Sequence, residues 1–458
     1  MALFALCISY FMVIIDVTII TVALPTMGRH FHCDVAGLQW IVDGYTLVLA
    51  SLLLSTGVVA DRWGAKRTFE GGLMAFVAAS VGCALAQSLT WLVAMRLFQG
   101  CAAALLIPAS MSLVKKGFIE RAARARALGA WAAVGGVAAA LGPVLGALLV
   151  SGLGWRAVFW VNLPMGVLAW ILSRRGIQEI VAAQASTRLD LMGQVLAILA
   201  LSGLAMALIA SGHAGWRSAA VLLPLGLCVV AGMLFLRWEH RTTQPMVPLT
   251  LFRQTEFSVA MLVGLGLNLG FYGQLFLLPF YFERIHGLSV FAIGFAMLPQ
   301  PAMASLASFL SGKVMAKVGP RGPMCMGLWM GAVGFAGLSI AVYAKGPYAS
   351  FVAPLLAIGF GTAFTMPAMT SAILDAVSAE QAGIASGCLN ASRQMGSMIG
   401  VAIAGTLIAL PGGITTALVL AALLGAAIFA VSAMASARSV RPGNGSEGAR
   451  IRLLKPSQ

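Results

Sequence analysis

Charged side chains are scarce in this sequence. Asp, Glu, Lys and Arg together make up 9% of the 458 residues, whereas hydrophobic residues make up 60%. About a quarter of the residues in a typical soluble domain are charged, so a soluble globular protein is excluded and a polytopic membrane protein is predicted. The net charge of +15 does not indicate a nucleic-acid partner, because Lys and Arg lie in short loops between apolar runs, where they set membrane topology.

Motifs for catalysis, for nucleotides and for metals are also lacking. The sequence contains no GxxxxGK[ST] motif, so it supplies no ATP site of its own. No nucleophile–base constellation or carboxylate pair occurs in the apolar runs, so no catalytic residue is assigned and a membrane enzyme is the least favoured function. His30, His32, Cys33 and Asp34 are close in sequence, but no second ligand cluster matches them, so a polar loop is preferred to a metal site. The seven cysteines lie mostly in apolar runs, and no disulfide framework is expected.

Long apolar runs dominate what remains. Fourteen of them are long enough to be transmembrane helices, which predicts an all-α membrane protein. The first run is too long for a cleavable signal peptide and contains an acid, so it is expected to be a retained helix. The runs are 2–26, 37–60, 68–88, 91–113, 126–150, 157–174, 190–211, 217–237, 257–280, 288–312, 323–343, 349–373, 384–410 and 413–436.

The distribution of Lys and Arg predicts the topology, with both termini in the cytoplasm.

The loop GVVADRWGAKR, which begins at Gly57, has a weak echo in GKVMAKVGPR, which begins at Gly312 and has Ala316 in place of Asp61. This echo suggests an internal duplication. The predicted domains are an N-terminal six-helix bundle (1–176), two additional transmembrane helices that link the bundles (177–256), a C-terminal six-helix bundle (257–437) and a disordered cytoplasmic tail (438–458).

One carboxylate, Asp16, lies near the middle of the first apolar run. An ionised Asp at that depth costs about 2.5–3.5 kcal/mol on insertion scales, so Asp16 is predicted to face the bundle interior or a wet cavity. The central hypothesis is that Asp16 alternately binds a proton and a substrate. The alternative is a buried structural acid that a neighbouring residue satisfies.

Arg96 is the one cation buried well inside the first half. Counted at 1.5 Å per residue, Arg96 and Asp43 lie about 8 and 9 Å below the outer starts of their helices, so the two are predicted to pair. Two interpretations stay open. Proton arrival breaks the pair and passes charge toward Asp16, or the pair is static and maintains a specific structure.

Several motifs then resemble one family. Gly57-x-x-x-Asp61-Arg62-x-Gly64-x-Lys66-Arg67 resembles the signature loop of the major facilitator superfamily. Arg96-x-x-Gln99-Gly100 resembles its proton-linked Arg motif, and Gly135-Gly136 with Gly142-Pro143-x-x-Gly146 resembles the motif of its antiporters. Asp16-x-Thr18, followed by Ala23-Leu24-Pro25, and the stretch Trp155–Pro164 are similar to the fourteen-helix drug–proton antiporter branch (EmrB/QacA type).

The resemblance implies a fold and a function. It implies the major facilitator fold, with two six-helix bundles that rock around a central cavity, plus two inserted helices. It also implies proton-coupled multidrug efflux from the bacterial cytoplasmic membrane, with hydrophobic, cationic or neutral small molecules as substrates and protons as coupling ion, without a cofactor. The alternatives are an exporter of one endogenous metabolite and a proton-linked uptake permease. A monomer is expected, and a periplasmic adaptor is left open.

Two motifs have conformational interpretations. In the loop 57–67, Asp61 among cations is interpreted as a latch whose ion pairs favour one state, and the alternative is an anchor that only sets topology. The glycines of the fifth run thin one helix face for close packing, which needs no further function. A smooth face that slides against the opposite bundle is the functional interpretation.

The second half lacks a carboxylate near mid-membrane, since Glu283 and Asp375 lie toward helix ends and Arg393 is the charged residue within the thirteenth run. This pattern disfavours dicationic substrates. Polar side chains in the apolar runs are candidates for the substrate cavity, with helix–helix hydrogen bonding as the alternative for each. The candidates are Thr18, Gln99, Asn268, Tyr272, Gln274, Gln300, Asn390 and Gln394.

Overall fold

A computed structural model describes residues 1–118, 120–178, 190–243, 245–378 and 381–440 of the chain. Within these ranges, side chains are described except those of Leu54, Asp61, Lys116, Arg121, Ala122, Ala125, Ala132 and Ala316. The predicted disordered tail, 438–458, lies outside the described residues from position 441 onward, and so do residues 179–189 of the predicted linking segment 177–256.

The described chain is helical almost throughout. The helices are α1 (Ala2–Phe31), α2 (Val35–Trp63), α3 (Ala65–Ala84), α4 (Leu89–Gly117), α5 (Arg121–Leu153), α6 (Ala157–Trp160), α7 (Asn162–Gly176), α8 (Leu191–Ala214), α9 (Ala219–Arg241), α10 (Thr255–Arg284), α11 (Val290–Ala296), α12 (Pro299–Val318), α13 (Arg321–Tyr343), α14 (Ala349–Asp375), α15 (Ala382–Ile408) and α16 (Gly413–Ser439). A short 3-10 helix, Leu249–Arg253, precedes α10.

Twelve membrane-length apolar helical spans occur in the described part of the chain, with α6–α7 and α11–α12 each forming one span. Two further long helices, α3 and α15, contain more polar sequence and are not among the twelve. At 1.5 Å per residue, the 20 residues of α3 and the 27 residues of α15 are about 30 and 40 Å long. The protein is therefore an all-α, multi-pass membrane protein with 12 to 14 spanning helices.

Local sequence explains where many helices begin and end. Asp34, Ser88 and Asp190 each accept a hydrogen bond from a backbone N–H in the first turn of the following helix, as expected of N-cap residues. Gly64 separates α2 from α3 with φ 93°, a conformation that favours glycine. Two predicted single segments are each split: α6 ends before Val161, and α12 restarts at Pro299, where the fixed φ of proline suits the first helical position.

The helices pack as two groups. In the first bundle, α1–α7, helix α1 packs on α5 and α7, while α4 packs on α2 and α3. In the second bundle, α10–α16, helix α10 packs on α15 and α16, and α14 packs on α12 and α13. The bundles meet where α2 contacts α15 and where α5 contacts α11 and α12. Helix α8 lies against the α2–α15 contact, and α9 packs on α8.

Close approach between helices relies on small residues. A Cβ atom at Gly203 of α8 would lie 2.6 Å from the Pro224 carbonyl oxygen of α9, so the glycine lets the two backbones approach closely. Most side chains of α9 are exposed, which fits a helix whose outer face meets lipid.

Candidate functional site

Asp16 lies at the centre of a fully enclosed polar cluster between α1, α4 and α7. Its side chain is 1% exposed. One carboxylate oxygen accepts a hydrogen bond from the Arg96 guanidinium, with which it forms a salt bridge. The other oxygen accepts from Gln99 Nε2 at 2.9 Å and from Asn162 Nδ2 at 3.0 Å. The prediction that Asp16 faces the bundle interior is confirmed. In this conformation, however, neither oxygen is free to contact a substrate.

Arg96 is equally buried and has several partners. In addition to Asp16, it donates to the Ile41 carbonyl oxygen at 3.0 Å and to Gln99 Oε1 at 2.7 Å. Its guanidinium carbon lies 4.4 Å from the centroid of the Tyr45 ring, a cation–π contact. Two neutral acceptors and one ring would therefore remain around Arg96 if Asp16 took up a proton. This arrangement can hold the cation during a proton cycle, because a guanidinium stays charged.

The predicted Asp43–Arg96 pair is wrong for this conformation, because Arg96 pairs with Asp16. Asp43 is 0% exposed, and neither of its carboxylate oxygens has a hydrogen-bond partner among the described residues. An ionised carboxylate without a partner is strongly disfavoured in such a place. The assignment of Asp43 to proton coupling stays a prediction.

Asn162 links the cluster to the rest of the first bundle, and sequence reasoning did not single it out as a site residue. Its amide nitrogen donates to Ser80 Oγ at 2.9 Å as well as to Asp16, and Ser80 Oγ donates to the Phe159 carbonyl oxygen at 2.9 Å. The break between α6 and α7 brings Phe159 and Asn162 to this position. Asn162 lies within the Trp155–Pro164 motif, which could have indicated it, but the sequence did not show that Asp16 is its partner.

The glycines of α5 provide close contact with α1. A Cβ atom at Gly135 or Gly142 would collide with Tyr10 or Thr18, and one at Gly146 would lie 2.6 Å from the Ile19 carbonyl oxygen. Gly136 differs, because a Cβ atom there would meet open space.

The opposite side of α5 contacts the second bundle. A Cβ atom at Gly294 of α11 would lie 2.8 Å from the Pro143 carbonyl oxygen and would collide with Ala147. The motif helix therefore lies between α1 and the opposite bundle, where a change in bundle orientation must be accommodated.

The predicted loop 57–67 is mostly helical in the structure. Residues 57–63 are the last turns of α2, and the turn itself is made by Gly64. Nothing lies near Gly57 that a Cβ atom would meet, and Arg62 is exposed. The side chain of Asp61 lies outside the described part, so its latch role stays a prediction, as does that of Arg67.

The contacts of Lys66 show which helices this motif joins in the described structure. Its Nζ donates to the Ile177 carbonyl oxygen at 2.6 Å, and it lies 4.0 Å from Glu70 one turn later. Glu70 accepts from Ser173 Oγ at 2.9 Å and pairs with Arg174 Nε at 3.3 Å. These contacts fasten the start of α3 to the end of α7 within one bundle. Glu70 was missed, although its i,i+4 spacing from Lys66 is a recognisable signal.

The eight predicted cavity residues do not form one cavity. Thr18 lies in the α1–α5 contact, and Gln99 belongs to the Asp16 cluster. Gln274 Nε2 donates to Gln300 Oε1 at 2.9 Å between α10 and α12, and Asn268 Nδ2 donates to Ser397 Oγ at 3.1 Å between α10 and α15. For these residues the helix–helix alternative describes the structure better. Tyr272, Asn390 and Gln394 are partly buried, and the first two lie near Arg393.

A pocket of about 420 Å³ lies between the bundles where α1 ends and α2 begins, which we call the Arg29 end. Its lining includes Arg29, Asp34, Glu283 and Arg284 together with Cys33. Arg29 of the first bundle forms a salt bridge with Glu283 of the second. Nearby, Gln39 Nε2 donates to the Ala402 carbonyl oxygen at 2.7 Å. These contacts join the two bundles at the Arg29 end.

Comparison with known proteins agrees with this architecture. The sequence matches the Major Facilitator Superfamily over residues 6–178, 182–401 and 260–456. The chain belongs to the major facilitator superfamily. Its fold resembles that of the xylose transporter XylE from E. coli, captured in a partially occluded inward-open conformation. The TM-score is 0.68 at 10% identity, over 96% of this chain and 98% of that one. Membership of this superfamily makes the protein a transporter rather than an enzyme.

Two curated relatives are named for resistance. The chain is 35% identical over 406 residues to the methylenomycin A resistance protein of Bacillus subtilis (strain 168), covering 89% of this chain and 87% of the relative. It is 32% identical over 407 residues to the tetracenomycin C resistance and export protein of Streptomyces glaucescens, covering 89% and 75%.

Proposed function

We propose that the chain is a proton-coupled antiporter that exports hydrophobic small molecules across the bacterial cytoplasmic membrane by alternating access. We further propose that it belongs to the fourteen-helix branch, with both termini in the cytoplasm. In this proposal α3 and α15 also span the membrane, which raises the count from twelve to fourteen, and α8 and α9 are the two helices inserted between the bundles. The domain limits 1–176, 177–256 and 257–437 are part of this proposal, and so is a monomeric state.

The observation that carries the proposal is the buried Asp16–Arg96 pair. A buried intramembrane acid marks an ion or substrate pathway more often than a structural role. Its three donors hold the carboxylate in this conformation, and a proton that reaches Asp16 would release them. Because those donors come from α4 and α7, such a release changes how α1 packs against both helices and supplies the difference between two states that a coupled transporter needs.

The relatives' names support export over uptake. One relative is named for resistance, and another is named as a resistance and export protein. These names favour efflux of foreign compounds over a specific endogenous metabolite, and over a proton-linked permease that works inward.

The experiment is dye efflux from proteoliposomes. We impose a proton gradient and expect a lipophilic dye to be transported in the direction opposite to the flow of protons. We expect Asp16→Asn to stop this transport. Asp375→Asn is the matched control, because it makes the same chemical change at an exposed carboxylate near a helix end. Normal proton-driven efflux by Asp16→Asn would overturn the assignment of Asp16.

A further inference from the structure

Arg393 is a cation within the membrane-length helix α15 that has no acidic partner among the described residues. Its contacts are weak: one guanidinium nitrogen donates to Asn390 Oδ1 at 3.4 Å, and another lies 3.6 Å from the Met366 sulfur. Its Nε atom is buried and has no hydrogen-bond partner in the described structure. A structural arginine at this depth would be expected to be paired. Arg393 therefore has hydrogen-bonding capacity that the protein leaves unused.

The surroundings of Arg393 come from both bundles. Tyr10 of α1 and Tyr272 of α10 lie close enough to Arg393 for its positive charge to act on their phenol groups. Tyr10 stacks on Trp131 of α5, with ring centroids 3.7 Å apart and planes inclined by 17°. The indole N–H of Trp131 is buried and also lacks an acceptor. Tyr272 contacts the hydrophobic cores of both bundles, so the group lies where the two meet.

The position of the group along the helices is central. Arg393 is 11 residues from the start of α15, and Trp131 is 10 residues from the start of α5. Both are therefore about 15 Å along their helices, near mid-membrane. Substrates of alternating-access transporters bind near this depth, between the repeats.

The chemistry of the group is complementary to one class of molecule. Arg393 and Trp131 supply unsatisfied donors and no acceptor. Two phenols add further donors, and the stacked rings provide a flat apolar surface. Asp16, the acid that would attract a cation, is occupied by its three donors. Among the described residues, the site thus has a free positive charge and no free negative one.

We propose that Tyr10, Trp131, Tyr272 and Arg393 bind an amphipathic organic acid, with the Arg393 guanidinium pairing with its carboxylate and the aromatic side chains contacting its apolar body. This differs from the expectation of cationic or neutral substrates. The inference rests on the proposed function for the direction of transport, but binding itself does not depend on proton coupling. Export of a monoanion in exchange for a proton would add their electrical work, whereas export of a monocation would cancel it.

The test uses three fluorescent probes with the same apolar body: pyrenebutyrate, pyrenebutanol and pyrenebutylamine. Their dissociation constants are measured by fluorescence anisotropy with the purified full-length protein in detergent. We expect pyrenebutyrate to bind at least about tenfold more tightly than either analogue, since a charge-assisted hydrogen bond is worth that much. Arg393→Gln should remove this preference and leave pyrenebutanol binding within about twofold. Trp131→Phe, which keeps a ring but removes the N–H, should weaken pyrenebutyrate more than pyrenebutanol.

Arg217→Gln is the matched control, because it removes the same charge from an exposed loop between α8 and α9. It should leave all three constants unchanged. If the wild-type protein shows no preference for pyrenebutyrate, or prefers the amine, the inference is overturned even if Arg393→Gln does not fold. Loss of efflux in Asp16→Asn, together with no preference for pyrenebutyrate, would overturn only the proposal that the site binds an organic acid. Retained efflux in Asp16→Asn, together with a clear preference for pyrenebutyrate, would overturn only the coupling role of Asp16.

Discussion

Asp16→Asn changes one oxygen to an amide nitrogen and leaves the shape of the side chain unchanged, but in their present orientations the neighbouring side chains offer that nitrogen no acceptor. Arg96 donates to one carboxylate oxygen, and Gln99 and Asn162 donate to the other. Either orientation of the introduced amide therefore points N–H groups at a donor. Gln99 cannot rotate its amide without cost, because its oxygen accepts from Arg96.

The magnitude follows from burial. Asp16 and Arg96 are each 1% exposed, and removal of one partner of a buried ion pair costs about 3–5 kcal/mol, because the other charge is left uncompensated. We expect Asp16→Asn and Arg96→Gln each to reduce the free energy of unfolding by about that amount. The double variant removes both charges, so its loss should be smaller than the sum by about 2–3 kcal/mol.

The assay is reversible unfolding in mixed detergent micelles, followed by proton-driven dye efflux from proteoliposomes for each variant. The double variant should lose less stability than the sum of the two single losses, and it should not transport. Transport separates coupling from a static structural pair, since a folded double variant would still transport if the pair were purely structural. Additive losses in stability would refute the reasoning that the two charges stabilise each other.

Three further predictions concern the α1–α5 contact and the Arg29 end. Gly146→Ala places a Cβ atom 2.6 Å from a backbone oxygen and should lower the free energy of unfolding by about 1–3 kcal/mol. Gly136→Ala is the control, because its Cβ atom meets open space, and it should not lower the free energy of unfolding. Equal losses in the two variants would contradict the packing described. Glu283→Gln removes an exposed inter-bundle ion pair worth about 0–1 kcal/mol, so maleimide labelling of Cys33, in a background without other cysteines, should rise by up to about fivefold; unchanged labelling would show that the pair does not hold this end closed. Burial, with a smaller contribution from Asp34, raises the pKa of the Cys33 thiol, so little thiolate is present at neutral pH and the labelling rate should increase as the pH rises.

The sequence predicted which residues matter in the first bundle better than it predicted their partners. Asp16 could be placed in the interior because an ionised carboxylate is too costly in lipid. The Asp43–Arg96 pair failed because depth along a helix says nothing about direction around it. Tyr45 faces Arg96, and Asp43 is two residues away, about 200° around the helix. Only the packing of α2 against α4 shows which of the two faces Arg96.

In the second bundle, composition alone was a poor guide to the cavity. Gln274, Gln300 and Asn268 are polar side chains in apolar runs, but they bond other helices of the same bundle. Tyr10 and Trp131 carry no signal of their own, because aromatic residues are common in transmembrane helices. Their role beside Arg393 depends on contacts between distant parts of the chain, which local sequence does not encode.

The central claim is that the Asp16 carboxyl group gains and loses a proton. Infrared difference spectroscopy of the protein in lipid, recorded as the pH is changed, detects the carbonyl stretch of a protonated carboxyl group. We predict a band that appears on acidification of the wild-type protein and is absent from Asp16→Asn, while Asp375→Asn retains it. A wild-type spectrum whose titrating bands are all retained in Asp16→Asn would contradict the account.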